Sequence, residues 1–207
     1  MKTKELIIVK ALELFSSRGY DSVSVRDIAH EVGVRESALY KHYKNKQAIF
    51  EAIIEMASCR VEEVYREFHI PDNTSSHVTE EYQEISIDQL GEISSKLFHF
   101  YVCDEVLAQY RRMLTIEQYR SGECQSRYQN QFINGFLNTC RRLFETFIRN
   151  GMFKDVNSEI LALHFYGPIY LLFQKYDLEP EKIEEGEKLI KEHVKQFARN
   201  YDQRQEN

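Results

Sequence analysis

The sequence predicts an all-α protein in which a small three-helix domain precedes a larger helical domain. Of its 207 residues only three are proline and eight are glycine, so few residues interrupt helices. Apolar residues recur along much of the chain at the three- and four-residue spacing of an amphipathic helix. We expect about nine helices, a first domain over residues 1–46 and a second over residues 47–207.

Composition excludes several classes of protein. An apolar share of 43% is too high for a disordered chain. No apolar run reaches the ~18 residues that span a bilayer, and the N-terminus lacks the pattern of a secretory signal. The widely spaced cysteines fit buried thiols, and His99 and Cys103 offer two metal ligands without a third. We expect a cytoplasmic protein with no membrane contact, no metal and no cofactor.

Charge is distributed unevenly between the two predicted domains. Residues 1–46 contain nine basic and six acidic residues. Their net charge is therefore +3, which leaves −9 for the rest of a chain whose total is −6. A basic segment on an acidic body favours an anionic partner at the N-terminus.

Three short helices are predicted at the N-terminus. The first covers residues 4–17, where Ile7 begins a buried stripe and after which Gly19 can end the helix. The second covers residues 25–32. Ser24 and Asp27 have the spacing of a capping box at its start. Gly33 can end it in the left-handed conformation.

The third helix is predicted over residues 36–43 and is polar except for its inward anchor, Leu39. Asn45 can cap a fourth helix, which continues to about residue 68 and serves from residue 47 as the connector between the domains. A polar loop is predicted over residues 70–84. The remaining helices are predicted at residues 86–103, 105–121, 126–150, 157–176 and 180–203.

A tight glycine turn between the second and third helices indicates a helix-turn-helix, whose second helix enters the major groove of DNA. Two segments resemble the tetracycline-repressor (TetR/AcrR) family: residues 15–29, FSSRGYDSVSVRDIA, and residues 33–46, GVRESALYKHYKNK. The resemblance covers about residues 4–55. It implies a DNA-binding transcriptional regulator with a helical ligand-binding and dimerisation domain, and not an enzyme.

The predicted DNA contacts lie in and around the helix-turn-helix. The resemblance implies that Tyr40, His42 and Lys46 contact phosphates, while Tyr43 occupies a position where the family packs an aromatic residue. Arg26 can reach a phosphate or a base edge. The side-chain types favour the following residues as readers of base edges: Arg35, Glu36, Ser37 and Lys41. Arg35 and Ala38 replace hydroxyl residues that are frequent in the family, which affects the operator sequence but not the mode of binding.

The second domain is rich in aromatic residues, which predicts a core and, by resemblance, an internal pocket for a small-molecule effector. The predicted pocket residues are Tyr101, Tyr110, Met113, Leu114, Glu117, Phe136, Cys140 and His164. For His164, packing in a core or an interface is the competing interpretation. The last two helices carry extensive apolar surface, and the resemblance implies that they form a two-fold homodimer interface.

The expected function is a repressor that binds a palindromic operator in double-stranded DNA as a dimer and is released by a small, largely apolar ligand. Nothing in the sequence separates a repressor from an activator. A helical enzyme is one alternative, although the chain has no GxSxG, HExxH, P-loop or dinucleotide motif. A helical adaptor that binds protein instead of DNA is another.

Overall fold

The computed structural model describes residues 2–68 and 85–203. In this part of the chain every regular element is a helix, and the one β-type contact is an isolated bridge between Phe153 and Asp202. The all-α prediction is confirmed. None of the helices described is both long enough and apolar enough to cross a lipid bilayer. The loop predicted over residues 70–84 lies outside the described residues.

Ten α-helices carry the labels used below. In chain order they are α1 Thr3–Arg18, α2 Val25–Val32, α3 Glu36–Leu39, α4 Lys46–Glu67, α5 Ile87–Cys103, α6 Glu105–Glu117, α7 Gly122–Tyr128, α8 Gly135–Arg149, α9 Ser158–Tyr176 and α10 Ile183–Tyr201. A π-helical segment, Gln129–Asn134, joins α7 to α8, and a 3₁₀ turn, Pro180–Lys182, precedes α10.

The chain divides into two compact units. The first contains Met1–Val64 and Asp104–Tyr128, and the second contains Tyr65–Cys103 and Gln129–Asn207. In the first unit α1 packs against α2 and α6. Its core is apolar, and buried members include Ile7, Phe15, Ile28, Leu39, Ile49, Ile53, Leu107 and Met113. The domain boundary at residue 46 stays a prediction.

Aromatic rings fill much of the second unit, where α5 packs against α10 and α8 packs against α9. The ring of Phe144 lies 5.7 Å from that of Phe153, 5.3 Å from that of Phe165 and 5.2 Å from that of Phe197. Burying rings of this size contributes much of the hydrophobic stabilisation of a helical domain.

Several predicted helix boundaries were wrong, and the single helix predicted over 126–150 is interrupted by the π-helical segment. The third helix ends at Leu39 instead of residue 43, because the following amides form turns, among them a 2.9 Å bond from His42 N to Leu39 O. The helix predicted over 105–121 ends at Glu117. The next helix starts at Gly122 instead of residue 126, because the Ser121 hydroxyl accepts a 3.3 Å bond from Cys124 N and caps it.

Candidate nucleic-acid interface and internal cavity

Helix α2 is held at both ends by the devices that its sequence predicts. The Ser24 hydroxyl accepts from the Asp27 amide at 3.1 Å, and Asp27 Oδ2 accepts from the Ser24 amide at 2.7 Å. Hydrogen bonding to Ser24 lowers the pKa of the Asp27 carboxyl below its ordinary value. Gly33 ends the helix with φ 76° and ψ 30°, a conformation that costs a residue with a Cβ atom. The predicted capping box and left-handed turn are confirmed.

Helix α3 turns one apolar side chain inward and leaves the others outside. Leu39 is completely buried, and Tyr43, in the turn that follows, is 6% exposed with its hydroxyl 3.4 Å from the carbonyl of Lys4. Tyr43 therefore packs into the unit, as predicted. Tyr40 is 48% exposed, so a large aromatic side chain stands in solvent beside the polar residues of α3.

Seven of the eight predicted DNA contacts are exposed: Arg26, Arg35, Glu36, Ser37, Tyr40, Lys41 and His42. Arg35 is the N-cap of α3 but makes no side-chain capping bond, so its guanidinium does not serve to start the helix. These seven residues provide cations, hydroxyls and one carboxylate, the groups that proteins use for phosphates and base edges. Their contact with DNA stays a prediction.

Lys46, the eighth predicted contact, is placed differently. It is half-buried at the start of α4, where the Asn45 side chain caps the helix by accepting from the Ala48 amide at 2.8 Å. The Lys46 ammonium donates to the carbonyl of Tyr20 at 2.8 Å and to that of Val23 at 3.0 Å. It also lies 4.0 Å from the centroid of the Tyr20 ring. Two of its three N–H groups are thus engaged within its own unit.

The second unit contains an apolar cavity of about 80 Å³. Burial raises the pKa of the Cys140 thiol in its wall to about 12, so this group is neutral at physiological pH. The lining residues described are Tyr65, Leu90, Ile93, Ser94, Leu97, Phe136, Thr139, Cys140, Arg142, Leu143, Phe165, Tyr166, Ile169 and Phe173. An apolar wall with a few polar groups suits a small apolar molecule.

The structure divides the eight predicted pocket residues into three groups. Phe136 and Cys140 line the cavity, and Tyr101 packs its ring against Phe136 at 5.7 Å in the same unit. His164 is exposed and its Nδ1 lies 2.6 Å from the Tyr201 hydroxyl, which favours the competing, non-ligand interpretation. The remaining four are buried on α6 in the first unit: Tyr110, Met113, Leu114 and Glu117.

Sequence reasoning missed most of the lining of the cavity. Thr139 and Leu143 share a helical face with Phe136 and Cys140 at three- and four-residue spacing, and extending that stripe along α8 would have found them. Tyr65 on α4 and Leu90 on α5 carry no comparable signal. They reach the cavity only through the packing of helices that are distant in sequence.

Three comparisons place the chain among known proteins. Residues 7–53 match the family model "Bacterial regulatory proteins, tetR family". Over 52 residues the chain is 40% identical to IcaR of Staphylococcus epidermidis, a negative transcriptional regulator of the biofilm operon icaADBC. That alignment spans 25% of this chain and 28% of IcaR, so the similarity is limited to a short part of this relative.

Two solved structures share the fold over nearly the whole chain. A candidate TetR-family transcriptional regulator of Mesorhizobium loti has a TM-score of 0.67 and 19% identity, with 97% of this chain and 96% of the other covered. SmeT is the repressor of the Stenotrophomonas maltophilia multidrug efflux pump SmeDEF. It has a TM-score of 0.61 and 19% identity, with coverage of 98% and 92%.

The sequence match over residues 7–53 and the fold match over nearly the whole chain are consistent with each other. The family model covers the helix-turn-helix, whose capped α2, left-handed Gly33 and exposed α3 are described above. The neighbours share the arrangement of the helices beyond it. Residues 7–53 are therefore similar to the tetR family of bacterial regulatory proteins, and the chain shares its fold with these two solved structures.

Proposed function

We propose that this protein is a transcriptional repressor that binds a palindromic operator as a homodimer and is released by a small, largely apolar ligand. The observation that carries the proposal is the exposure of the polar side chains of α3 and of the turn after it, while Leu39 and Tyr43 turn inward. A helix built in this way can enter a major groove without disturbing its own core. The match of residues 7–53 to a model of regulatory proteins supports our expectation that the chain is not an enzyme.

DNA binding is tested with a duplex that the wild-type protein selects from a randomised pool. Affinity should fall linearly on a log–log plot as salt rises, since phosphate contacts release counterions. Lys41→Ala should weaken binding and reduce the slope by about 1 if Lys41 contacts a phosphate, and should relax sequence preference if it reads a base. Lys182→Ala removes an exposed charge from the 3₁₀ turn before α10 and is the matched control. Failure to select any duplex at low salt would leave the adaptor alternative.

Dimerisation through α9 and α10 is supported by apolar side chains that the monomer leaves in solvent. On α9, Ile160 is 48% exposed, Leu163 is 47% exposed and Leu171 is 66% exposed. With Gly167 they follow spacings of three and four residues, which places them on one helix face. A Cβ atom at Gly167 would meet no neighbour within 4 Å, so this face is open to a second copy of the chain.

The oligomeric state tests this surface directly. Leu163→Glu should convert the dimer to a monomer in sedimentation at micromolar concentration, because a carboxylate would be desolvated in the interface. Leu178→Glu is the matched control, since Leu178 is 79% exposed and lies just beyond α9. A wild-type protein that sediments as a monomer would remove this part of the proposal.

Ligand binding is supported by the apolar cavity and its neutral thiol. SmeT has also been solved as a complex with triclosan, which supports a ligand-binding role for this chain. The chain contains no tryptophan, so Leu97→Trp introduces a single indole into the cavity wall. A panel of small apolar compounds should shift or quench its emission and should also release operator DNA from the wild type. Compounds that change the emission without releasing DNA would argue against an effector role.

A further inference from the structure

Two charged side chains form hydrogen bonds with the backbone of the turn between α1 and α2. Glu117, the last residue of α6, accepts a 2.8 Å bond from the Tyr20 amide through Oε1. Lys46, the first residue of α4, donates to the Tyr20 and Val23 carbonyls. Both polar groups of the Tyr20 peptide backbone are thereby engaged by ionisable side chains of the first unit. We name Glu117 and Lys46 together the turn clamp.

The carboxylate of the turn clamp is buried and therefore depends on its hydrogen-bond partners. Glu117 is 4% exposed, and a buried carboxylate is costly unless charged or polar groups satisfy it. The Tyr20 amide and the Arg120 guanidinium, whose Nη1 lies 3.4 Å from Oε1, provide that compensation. Without the hydrogen bond from the Tyr20 amide, the buried Glu117 carboxylate would lack one of its partners. The turn and α6 therefore constrain each other.

Gly19 shows how closely the turn approaches the clamp. Its φ is 81°, and a Cβ atom there would lie 2.8 Å from Arg120 Nη1 and 3.0 Å from Glu117 Oε1. Only glycine combines that backbone conformation with that space. The turn leads within a few residues to the Ser24 cap of α2, so its position determines where the helix-turn-helix begins.

We propose that the turn clamp is a positioning device for DNA binding, and that Lys46 acts through the Tyr20 turn instead of through a phosphate. This rests on the proposed function. The clamp fixes the start of α2 within the first unit, and through the short Gly33 turn it fixes α3. Releasing either side should let the two helices sample orientations that fit the groove poorly, which lowers affinity without removing a phosphate contact.

The salt dependence of DNA binding separates positioning from phosphate contact. With the duplex selected by the wild type, Lys46→Met should weaken binding by about tenfold at constant salt slope, because no counterion release is lost. Glu117→Ala should do the same. Glu117→Gln keeps an acceptor for the Tyr20 amide and should stay within about threefold of the wild type. A slope reduced by about 1 in Lys46→Met would show that Lys46 contacts a phosphate and would overturn its assignment.

Hydrogen exchange provides a readout that does not depend on DNA. The Tyr20 amide of the full-length protein should exchange faster in Glu117→Ala than in the wild type or in Glu117→Gln. Should Glu117→Ala fail to fold, Lys46→Met and Glu117→Gln still decide the outcome. Unchanged affinity in both Lys46→Met and Glu117→Ala would overturn the positioning role. If the wild type selects no duplex, the proposed function fails, whereas an unprotected Tyr20 amide in the wild type contradicts the clamp itself.

Discussion

The Nε atom of Arg60 donates a 2.8 Å hydrogen bond to Oδ2 of Asp104 and so joins the middle of α4 to the start of α6 within the first unit. The other carboxylate oxygen of Asp104 accepts from the Leu107 amide at 3.1 Å and caps α6. One carboxylate, 15% exposed, therefore both starts the helix and ties it to α4.

Because it has two roles, Asp104 should matter more to stability than its partner. Asp104→Ala should lower the free energy of unfolding by about 1–2 kcal/mol, since the cap and the ion pair are lost together. Arg60→Ala should cost less than about 1 kcal/mol, because the guanidinium is partly solvated. Urea denaturation measures both values. Glu63→Ala removes the exposed second partner of Arg60 and is the control; equal losses for Arg60→Ala and Asp104→Ala would mean that the cap contributes nothing.

Gly186 lies at a crowded point in the second unit. A Cβ atom there would lie 2.6 Å from Cε1 of Phe98 and 3.0 Å from Cδ2 of Tyr176, and both rings are fully buried. Alanine ordinarily stabilises a helix relative to glycine by about 1 kcal/mol. Here we expect Gly186→Ala to destabilise the protein by about 1–3 kcal/mol, because rings fixed by packing have little room to move.

Thermal and urea unfolding check the sign of this effect. Gly122→Ala is the matched control, because Gly122 lies in a helix and a Cβ atom there has no neighbour within 4 Å. The control should be neutral or slightly stabilising. A Gly186→Ala protein that is more stable than the wild type would contradict the close packing of α10 on Phe98.

The cysteines should differ widely in reactivity. Cys59 is exposed on α4. Burial raises the pKa of the Cys140 thiol to about 12, and only the thiolate attacks an alkylating agent. At pH 8 iodoacetamide should therefore modify Cys59 within minutes and leave Cys140 unmodified until the protein is denatured. Peptide mapping by mass spectrometry checks this order. Rapid modification of Cys140 in the folded protein would contradict the shielding of its thiol in the cavity wall.

Local features of the first unit could be predicted because they depend on neighbouring residues. The Ser24–Asp27 box and the Asn45 cap each arise from a side chain and a backbone group within three residues, and the left-handed turn at Gly33 depends on the absence of a Cβ atom there. Ser121 was missed for a related reason. Its hydroxyl caps α7, but a serine after a helical pattern resembles the continuation of that helix as much as its end.

Long-range placement could not be read in this way. The resemblance implies that Lys46 contacts a phosphate, yet its ammonium donates to carbonyls more than twenty residues earlier in the chain. The cavity likewise combines Tyr65 of α4, Phe136 of α8 and Phe165 of α9. Periodicity identifies the buried face of each helix but not which faces meet.

Stability should fall in alkali, because buried acids must ionise when the chain unfolds. Burial raises the pKa of Tyr110 from 10.0 to about 12 and that of Cys140 from 9.0 to about 12. Between about pH 9 and pH 12 the unfolded chain therefore binds fewer protons than the folded one, so the free energy of unfolding decreases as pH rises. Below about pH 9 these groups contribute no pH dependence. Each group should contribute a slope on the order of 1 kcal/mol per pH unit in its window.

Urea midpoints from pH 8 to pH 11 measure the total slope. Cys140→Ala should flatten the curve from about pH 9 upward and Tyr110→Phe only from about pH 10, whereas identical slopes in the wild type and both variants would show that neither proton is held by burial.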